Sequence, residues 1–221
     1  MKQSLLALLV TAAAFTACNN AGTATTTAAQ TADTTAAAPA KTNSEKKWIA
    51  VDSATEMKAW MTYATPGDIH KALARADGNW NVQTTTWAAI GAPPSTAKAK
   101  MVNKMMLGGR YQMSNFSGNF MGMPFEGVSV TAYDNAKKKF INTWIDNMGT
   151  GLTKMEGTWD STAKTITYTG TMLNPANNIE CDLKEVLTLV DDNNQVMEMW
   201  GPDPKTGQQF KSMEMKFTRA K

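Results

Sequence analysis

From Gly78 to the C-terminus the chain alternates short extended runs with still shorter turn signals, and this rhythm restricts its fold more than any other feature. About ten strand-like runs can be counted, at 79–87, 97–106, 110–120, 124–134, 138–147, 151–159, 164–172, 178–190, 194–200 and 208–219. Between them stand Gly-Ala-Pro-Pro, Gly-Gly, Gly-Met-Pro, Asp-Asn-Ala, Gly-Thr-Gly, Asp-Ser-Thr-Ala, Asn-Pro-Ala-Asn-Asn, Asp-Asp-Asn-Asn and Asp-Pro-Lys-Thr-Gly, all turn-forming compositions. Spacers this short join antiparallel neighbours, because a parallel crossover needs about a dozen residues or more. A ten-stranded meander left open would carry two bare edges, and closure into a barrel removes both. The expected fold class is all-β, a single antiparallel meander barrel of about ten strands over residues 48–221, with short N-terminal capping helices.

Two helices are expected ahead of the first strand. Residues 53–63 place Met57, Trp60 and Met61 at i, i+3 and i+4. Thr65-Pro66 then opens a second helix, with Thr65 as N-cap, Pro66 at the first position and Asp68 suited to the helix dipole. Its apolar side is Ile69, Ala72 and Leu73, and Gly78 ends it.

The strand faces follow from the period of two. In 165–172, Ile166, Tyr168, Gly170 and Met172 oppose a row of threonines. In 179–190, Ile179, Cys181, Leu183, Leu187 and Leu189 share a face with Glu185. Phe140, Asn142, Trp144 and Asp146 share another, so apolar and polar groups mix on one side, as in a barrel with both a core and a lined cavity.

Particular motifs carry a family likeness. Gly78-Asn79-Trp80 at the start of the first strand, with Arg219 on the last, resembles the calycin superfamily of lipocalin-type barrels. There a Gly-x-Trp opens strand one and an arginine packs over the indole, which assigns Trp80 and Arg219 a structural role and a cation–π contact. Over residues 66–219, several further motifs resemble the bacterial domain-of-unknown-function family 1579. They are Pro66-Gly67-x-x-His70-x-x-Leu73, Leu107-Gly108-Gly109-Arg110, Gly122-Met123-Pro124-Phe125-Glu126-Gly127, Tyr133-Asp134-Asn135 and Thr143-Trp144-Ile145-Asp146-x-Met148-Gly149-Thr150. The resemblance implies a barrel-like β domain in a protein that is often exported, and no agreed activity.

The N-terminus supplies an address. Lys2 and the apolar run from Leu5 are too short a unit to span a bilayer as a helix. The run ends in Ala14-Phe15-Thr16-Ala17-Cys18, which resembles a bacterial lipoprotein signal over residues 1–17. In that family the cysteine, here Cys18, becomes the lipidated N-terminus. Phe15 departs from the usual leucine. Asn19 lacks the aspartate that resembles an inner-membrane retention signal, which points to a periplasm-facing lipoprotein of a Gram-negative outer membrane. Residues 18–47 are Ala/Thr-rich and too poor in large apolar side chains to offset their ordering entropy, so a disordered tether is expected.

Charge and chemistry then exclude more than they select. The formal net charge is +3 with the lysines scattered, Lys137-Lys138-Lys139 apart, which argues against nucleic acid as a partner. His70 is the single histidine, read here as a surface or capping residue, so the usual zinc and Ser-His-Asp arrangements lack their parts. No strand carries a histidine for haem. No cofactor and no metal are expected. Sixteen methionines include the Met-x-Met pairs 121/123, 197/199 and 213/215, a spacing that would suit Cu(I), although gap-filling is the commoner use of methionine and is the reading adopted.

The polar or aromatic groups assigned to an inner wall or rim, and so to ligand binding, are Arg110, Asn115, Glu126, Trp144, Asp146 and Glu185. Arg110 is expected to pair with Glu126 or Asp146. The leading expectation is a lipid-anchored periplasmic barrel that binds a small apolar or amphipathic ligand, with Trp144 as a stacking wall and Arg110 or Glu126 holding a polar end. The alternatives are an envelope protein–protein interaction module and a metal-independent enzyme using an Asp/Glu pair.

Overall fold

The computed structural model describes residues 47–120 and 122–221. The signal peptide, Cys18 and all but the last residue of the tether lie outside the described residues, as does Met121. A compact unit spans Ile49–Lys221. Two helices, α1 (Ser53–Ala64) and α2 (Asp68–Ala74), precede ten strands. The strands are β1 (Gly78–Thr86), β2 (Ser95–Met106), β3 (Tyr111–Phe120), β4 (Met123–Asp134), β5 (Lys139–Asp146), β6 (Thr153–Asp160), β7 (Thr165–Asn174), β8 (Ile179–Asp191), β9 (Asn194–Pro202) and β10 (Gln209–Arg219). Each pairs antiparallel with the next, and β10 returns to β1 to close the barrel. The all-β meander barrel expected from the turn rhythm is the fold observed.

Three hairpins share one turn device. Asp134, Asp160 and Asn174 each accept a backbone N–H two residues on through Oδ1, at 2.8, 2.8 and 2.9 Å. Each turn then ends on a residue in the left-handed region, Lys138 (φ 55°), Lys164 (φ 54°) or Asn178 (φ 58°). The short Asx side chain thus stands in for a backbone group and fixes loop length, and loop length fixes strand register.

On β5, β7 and β8 the inward faces are those read from alternation. Phe140, Met155, Ile166, Tyr168 and Leu183 form one buried cluster, against which Ile69 and Leu73 of α2 pack. Trp80, Val82, Met101 and Phe217 form a second, against which Met197 and Met215 pack. α2 therefore covers one end of the barrel, on the side of the β2–β3, β4–β5, β6–β7 and β8–β9 turns. The other end carries the remaining loops, where the β1–β2 loop is pinned by Asp203, whose Oδ2 accepts Ile90 N–H at 2.8 Å.

Arg219 locks the seam. Its guanidinium carbon lies 4.4 Å from the Trp80 ring centroid. Its Nη1 donates to Asp77 O and its Nη2 to Arg75 O, each at 2.7 Å, while Nε reaches Asp192 O at 3.1 Å. One side chain thus joins the last strand, the first strand, the residues that follow α2 and the β8–β9 turn. Gly78 has φ +120°, a conformation that favours glycine, and a Cβ there would also press on Arg219 Nη1 at 3.2 Å.

The helices depart from expectation. Thr65 does not cap α2, because its hydroxyl donates back to Met61 O at 2.6 Å and closes α1 instead. The N-cap is Gly67, and α2 is over at Ala74, so Gly78 opens β1 rather than ending a helix. Met57, Trp60 and Met61 do not pack inward, and each remains 60% or more exposed. α1 hangs from the β4–β5 turn at its C-terminal end, where Asn135 Nδ2 donates to Tyr63 O and Thr65 O at 3.0 and 2.9 Å.

Replacing Arg219 by lysine retains the charge and removes the fork. Arg219→Lys is expected to lower the unfolding free energy by about 1.5–3 kcal/mol, seen as a reduced urea midpoint with an unchanged m value. A wild-type midpoint would show that closure does not rest on this side chain.

Candidate functional site

Under α2 the polar groups of the barrel interior are buried and engaged. Gln112 Nε2 donates to Leu73 O at 2.7 Å and to Asp77 Oδ1 at 3.0 Å. Asn103 Nδ2 donates to Ala76 O at 3.0 Å, as does the Trp80 indole N–H at 2.9 Å. Asn103 Oδ1 alone, among buried side-chain polar atoms of the described residues, has no partner. Nearby, Asn142 Nδ2 bridges Ser129 Oγ and Thr131 Oγ1 at 2.7 and 3.0 Å. Only Asn142 of this group was placed on the inner face from sequence. Gln112, Ser114, Ser129 and Thr131 were missed, although their parity with Phe116 and Tyr133 was the available signal.

His70 belongs to this covered end. It is 5% exposed, and its Nδ1 accepts Gly67 N–H at 3.0 Å, so its role is a cap from within rather than a surface position. Burial, aided by the positive charge of Arg110, holds its pKa below the ordinary imidazole range against the opposing Tyr133 carbonyl.

Farther along the inner wall several side chains are half-buried, although Leu183, one step beyond Glu185 from the α2 side, is buried. The half-buried ones include Phe116, Phe125, Trp144, Glu185, Met199 and Met213. Trp144 packs edge-on to Phe116 at 5.1 Å and stacks on Phe125 at 6.3 Å between centroids. Its ring occupies the space above Gly127, where a Cβ would come within 2.5 Å of it. Asp146 orients the indole by accepting Trp144 Nε1–H at 2.6 Å, and it also accepts Met148 N–H at 2.9 Å.

Glu185 faces the lumen from β8, opposite Tyr168 on β7 and Met199 on β9. Surrounding protein desolvates it and pushes its pKa up from 4.5 to about 7. It nevertheless keeps accessible surface, the combination expected of a carboxyl group on the wall of a lumen. No described residue forms an ion pair with it. Burial, with Glu185 adding its charge, pushes the Tyr168 phenol above its ordinary range.

Of the six residues assigned to ligand binding, the fold directs three inward: Trp144, Asp146 and Glu185. The other three are corrected. Asn115 lies between the inward Ser114 and Phe116, so the pleat turns it to the outer surface. Glu126, between Phe125 and Gly127, likewise stands on the outer wall near the open rim. Arg110 closes the Leu107–Arg110 turn at the covered end, where its Nη1 donates to Leu107 O at 3.1 Å. It therefore pairs with neither Glu126 nor Asp146, which sit toward the other end of β4 and β5. Glu126 and Asp146 also lie on opposite faces of the wall, so they do not form an acid/base pair. Among the described residues no cluster of three or more His, Cys, Asp or Glu is arranged to hold a metal.

Outside the barrel, a groove of about 410 Å³ runs between α1 and the β4–β5 turn, lined by residues such as Thr55, Thr62 and Asn135. It is shallow and open, and it brings together none of the six residues assigned to ligand binding.

The model of a family described as "Protein of unknown function (DUF1579)" matches residues 65–219. No curated protein sequence matches the chain. Among solved structures, Rv2717c from M. tuberculosis is similar over 71% of this chain and 100% of its own, at 12% identity and a TM-score of 0.54. The S-type phycobiliprotein lyase CPES from Guillardia theta is similar over 73% of this chain and 97% of its own, at 8% identity and a TM-score of 0.50. At these identities the likeness is one of fold.

The raised pKa of Glu185 has a definite sign. Its protonated form is favoured in the folded state, so the stability it confers is complete below about pH 4.5 and is lost as pH rises through about 7. Relative to Glu185→Gln, the wild type is expected to lose up to about 3 kcal/mol between pH 4.5 and pH 8. Urea midpoints at the two pH values measure this, and a pH-independent difference would place the carboxyl group in water.

Proposed function

The chain belongs to the DUF1579 family, and from that premise we propose that it is a periplasm-facing lipoprotein whose barrel lumen binds a small amphipathic molecule. Attachment through lipidated Cys18 and a place on the outer membrane of a Gram-negative cell rest on the N-terminal sequence. The observation that carries the binding reading is the inner wall itself, where the half-buried aromatic rings of Phe116, Phe125 and Trp144 share the lumen with Glu185, a carboxyl group that has no ion-pair partner among the described residues. An apolar ligand body would lie against Phe116, Phe125 and Trp144. Asp146 is occupied in holding the indole, and Arg110 is at the covered end, so the polar end of the ligand falls to Glu185. A carboxyl group in that setting favours a hydrogen-bond donor or a cationic group as its partner. The fold is shared with a phycobiliprotein lyase, which agrees with a small-molecule role without specifying it.

The test is native mass spectrometry of the full chain purified gently from its own envelope, followed by titration of the extracted small molecule. A reproducible extra mass is expected. Trp144→Ala should weaken rebinding by about tenfold, in line with about 0.5–1.5 kcal/mol of aromatic contact beyond buried area, and Arg110→Ala should leave it unchanged. A bare mass together with no uptake of apolar fluorescent probes would overturn the reading.

A further inference from the structure

Two of the three Met-x-Met pairs meet in the folded barrel. Met199 on β9 lies opposite Met213 on β10, and Met197 lies opposite Met215. The register places all four on the inner wall, since Phe217 two residues beyond Met215 is buried in the core and Glu214 between Met213 and Met215 bonds to Lys211 on the outside. Side chains directly opposite on antiparallel strands have Cβ atoms about 4.5–5.5 Å apart. A methionine side chain adds three rotatable bonds, so four thioethers so placed can converge on one point. The next rung on β8 carries Glu185 beside Met199 and Leu187 beside Met197. Thr84 and Thr86 flank the quartet on β1. The patch therefore combines four soft neutral donors with one carboxyl group that has no ion-pair partner among the described residues.

We infer that Met197, Met199, Met213 and Met215, with Glu185 beside them, form a binding site for a soft monovalent metal cation, Cu(I). Thioether sulfur selects Cu(I) over harder ions such as Zn(II) and Mg(II). Four thioethers leave the charge of the ion unaltered, and the Glu185 carboxylate can neutralise it where water is scarce. Bringing an ion to Glu185 also supplies the partner that a desolvated carboxylate lacks. The flexibility that makes methionine a gap-filler is what lets the same residues serve as ligands, and the cross-strand register distinguishes this group from the remaining methionines. Met197 and Met215 rest against the Trp80 core cluster, which gives the site a fixed floor, whereas Met199 and Met213 stand toward Glu185. The site uses the proposed lumen only as its route of entry, so it stands or falls separately from amphipathic-ligand binding.

The full chain carrying Cys18→Ser and Cys181→Ser, so that no thiol competes, would be titrated anaerobically with Cu(I) against a chromophoric Cu(I) chelator. One equivalent is expected, with a sulfur-only shell at about 2.3 Å in copper X-ray absorption, a distance typical of metal–sulfur bonds in protein sites. Met199→Leu/Met213→Leu conserves volume and should abolish the tight equivalent. Glu185→Gln should weaken it by about tenfold, as loss of a group outside the ligand shell commonly does, and Met123→Leu, at the exposed start of β4, should change nothing. Should the double variant fail to fold, each single leucine variant must still weaken binding. Absence of a tight equivalent, a nitrogen or oxygen shell, or full affinity in the leucine variants would overturn the site. Binding of apolar probes by copper-free protein, measured in parallel, reads the proposed function independently.

Discussion

The barrel depends on one seam. Nine of its strand pairings join consecutive strands through short hairpins, and local turn chemistry is enough to direct them. The tenth, between β1 and β10, joins segments more than a hundred residues apart and carries the largest loop-closure cost. Arg219 concentrates at that point a cation–π contact with Trp80 and hydrogen bonds to the carbonyl oxygens of Arg75, Asp77 and Asp192. The same contacts tie down the segment that leads from α2 into β1, so closing the sheet and covering its end are a single event.

That coupling explains why the interior polar groups nearest α2 are engaged. Beneath α2, the side chains of Gln112 and Asn103 find backbone carbonyl oxygens in and just after the helix, and burial there is nearly complete. Away from it nothing comparable covers the barrel. Phe116, Phe125 and Trp144 keep accessible surface, and Glu185 is desolvated without an ion-pair partner among the described residues. A carboxyl group held in this way destabilises its own charged state. Such a group on the wall of a lumen, next to aromatic and thioether surface, is the feature on which the proposed binding of a guest rests.

Much of this was legible in the sequence, and the remainder failed for identifiable reasons. Strand number and order could be read because Asx and glycine turns recur at short intervals, and each turn constrains only its own neighbours. The inner faces of β5, β7 and β8 were readable where apolar residues alternate. On β3 and the second half of β4 they were not, because Gln112, Ser114, Ser129 and Thr131 are polar residues facing inward, and pattern reading treated polarity as exposure. Asn115 and Glu126 were therefore assigned to the wrong face by a single residue of parity. Arg110 was misplaced by its neighbourhood: Leu107, Gly108 and Gly109 all adopt positive φ, which makes the segment a turn at the covered end and not the start of a strand. The apolar period of α1 was real, yet periodicity alone does not reveal whether a helix is packed, and α1 is held only at one end.

The methionines illustrate what register adds to composition. As sixteen scattered residues they are adequately explained by packing, and within one strand a Met-x-Met pair says only that two side chains share a face. The barrel adds the relation between strands. Met197 meets Met215, Met199 meets Met213, and Glu185 closes the next rung, so five residues from three strands become neighbours through pairings that no local pattern records. Packing alone would be equally well served by leucine at these positions, and leucine would not carry an unengaged carboxyl group beside it. The chemistry shared by these neighbours is softness next to a negative charge, and that combination, more than the number of methionines, is what the proposed Cu(I) site rests on.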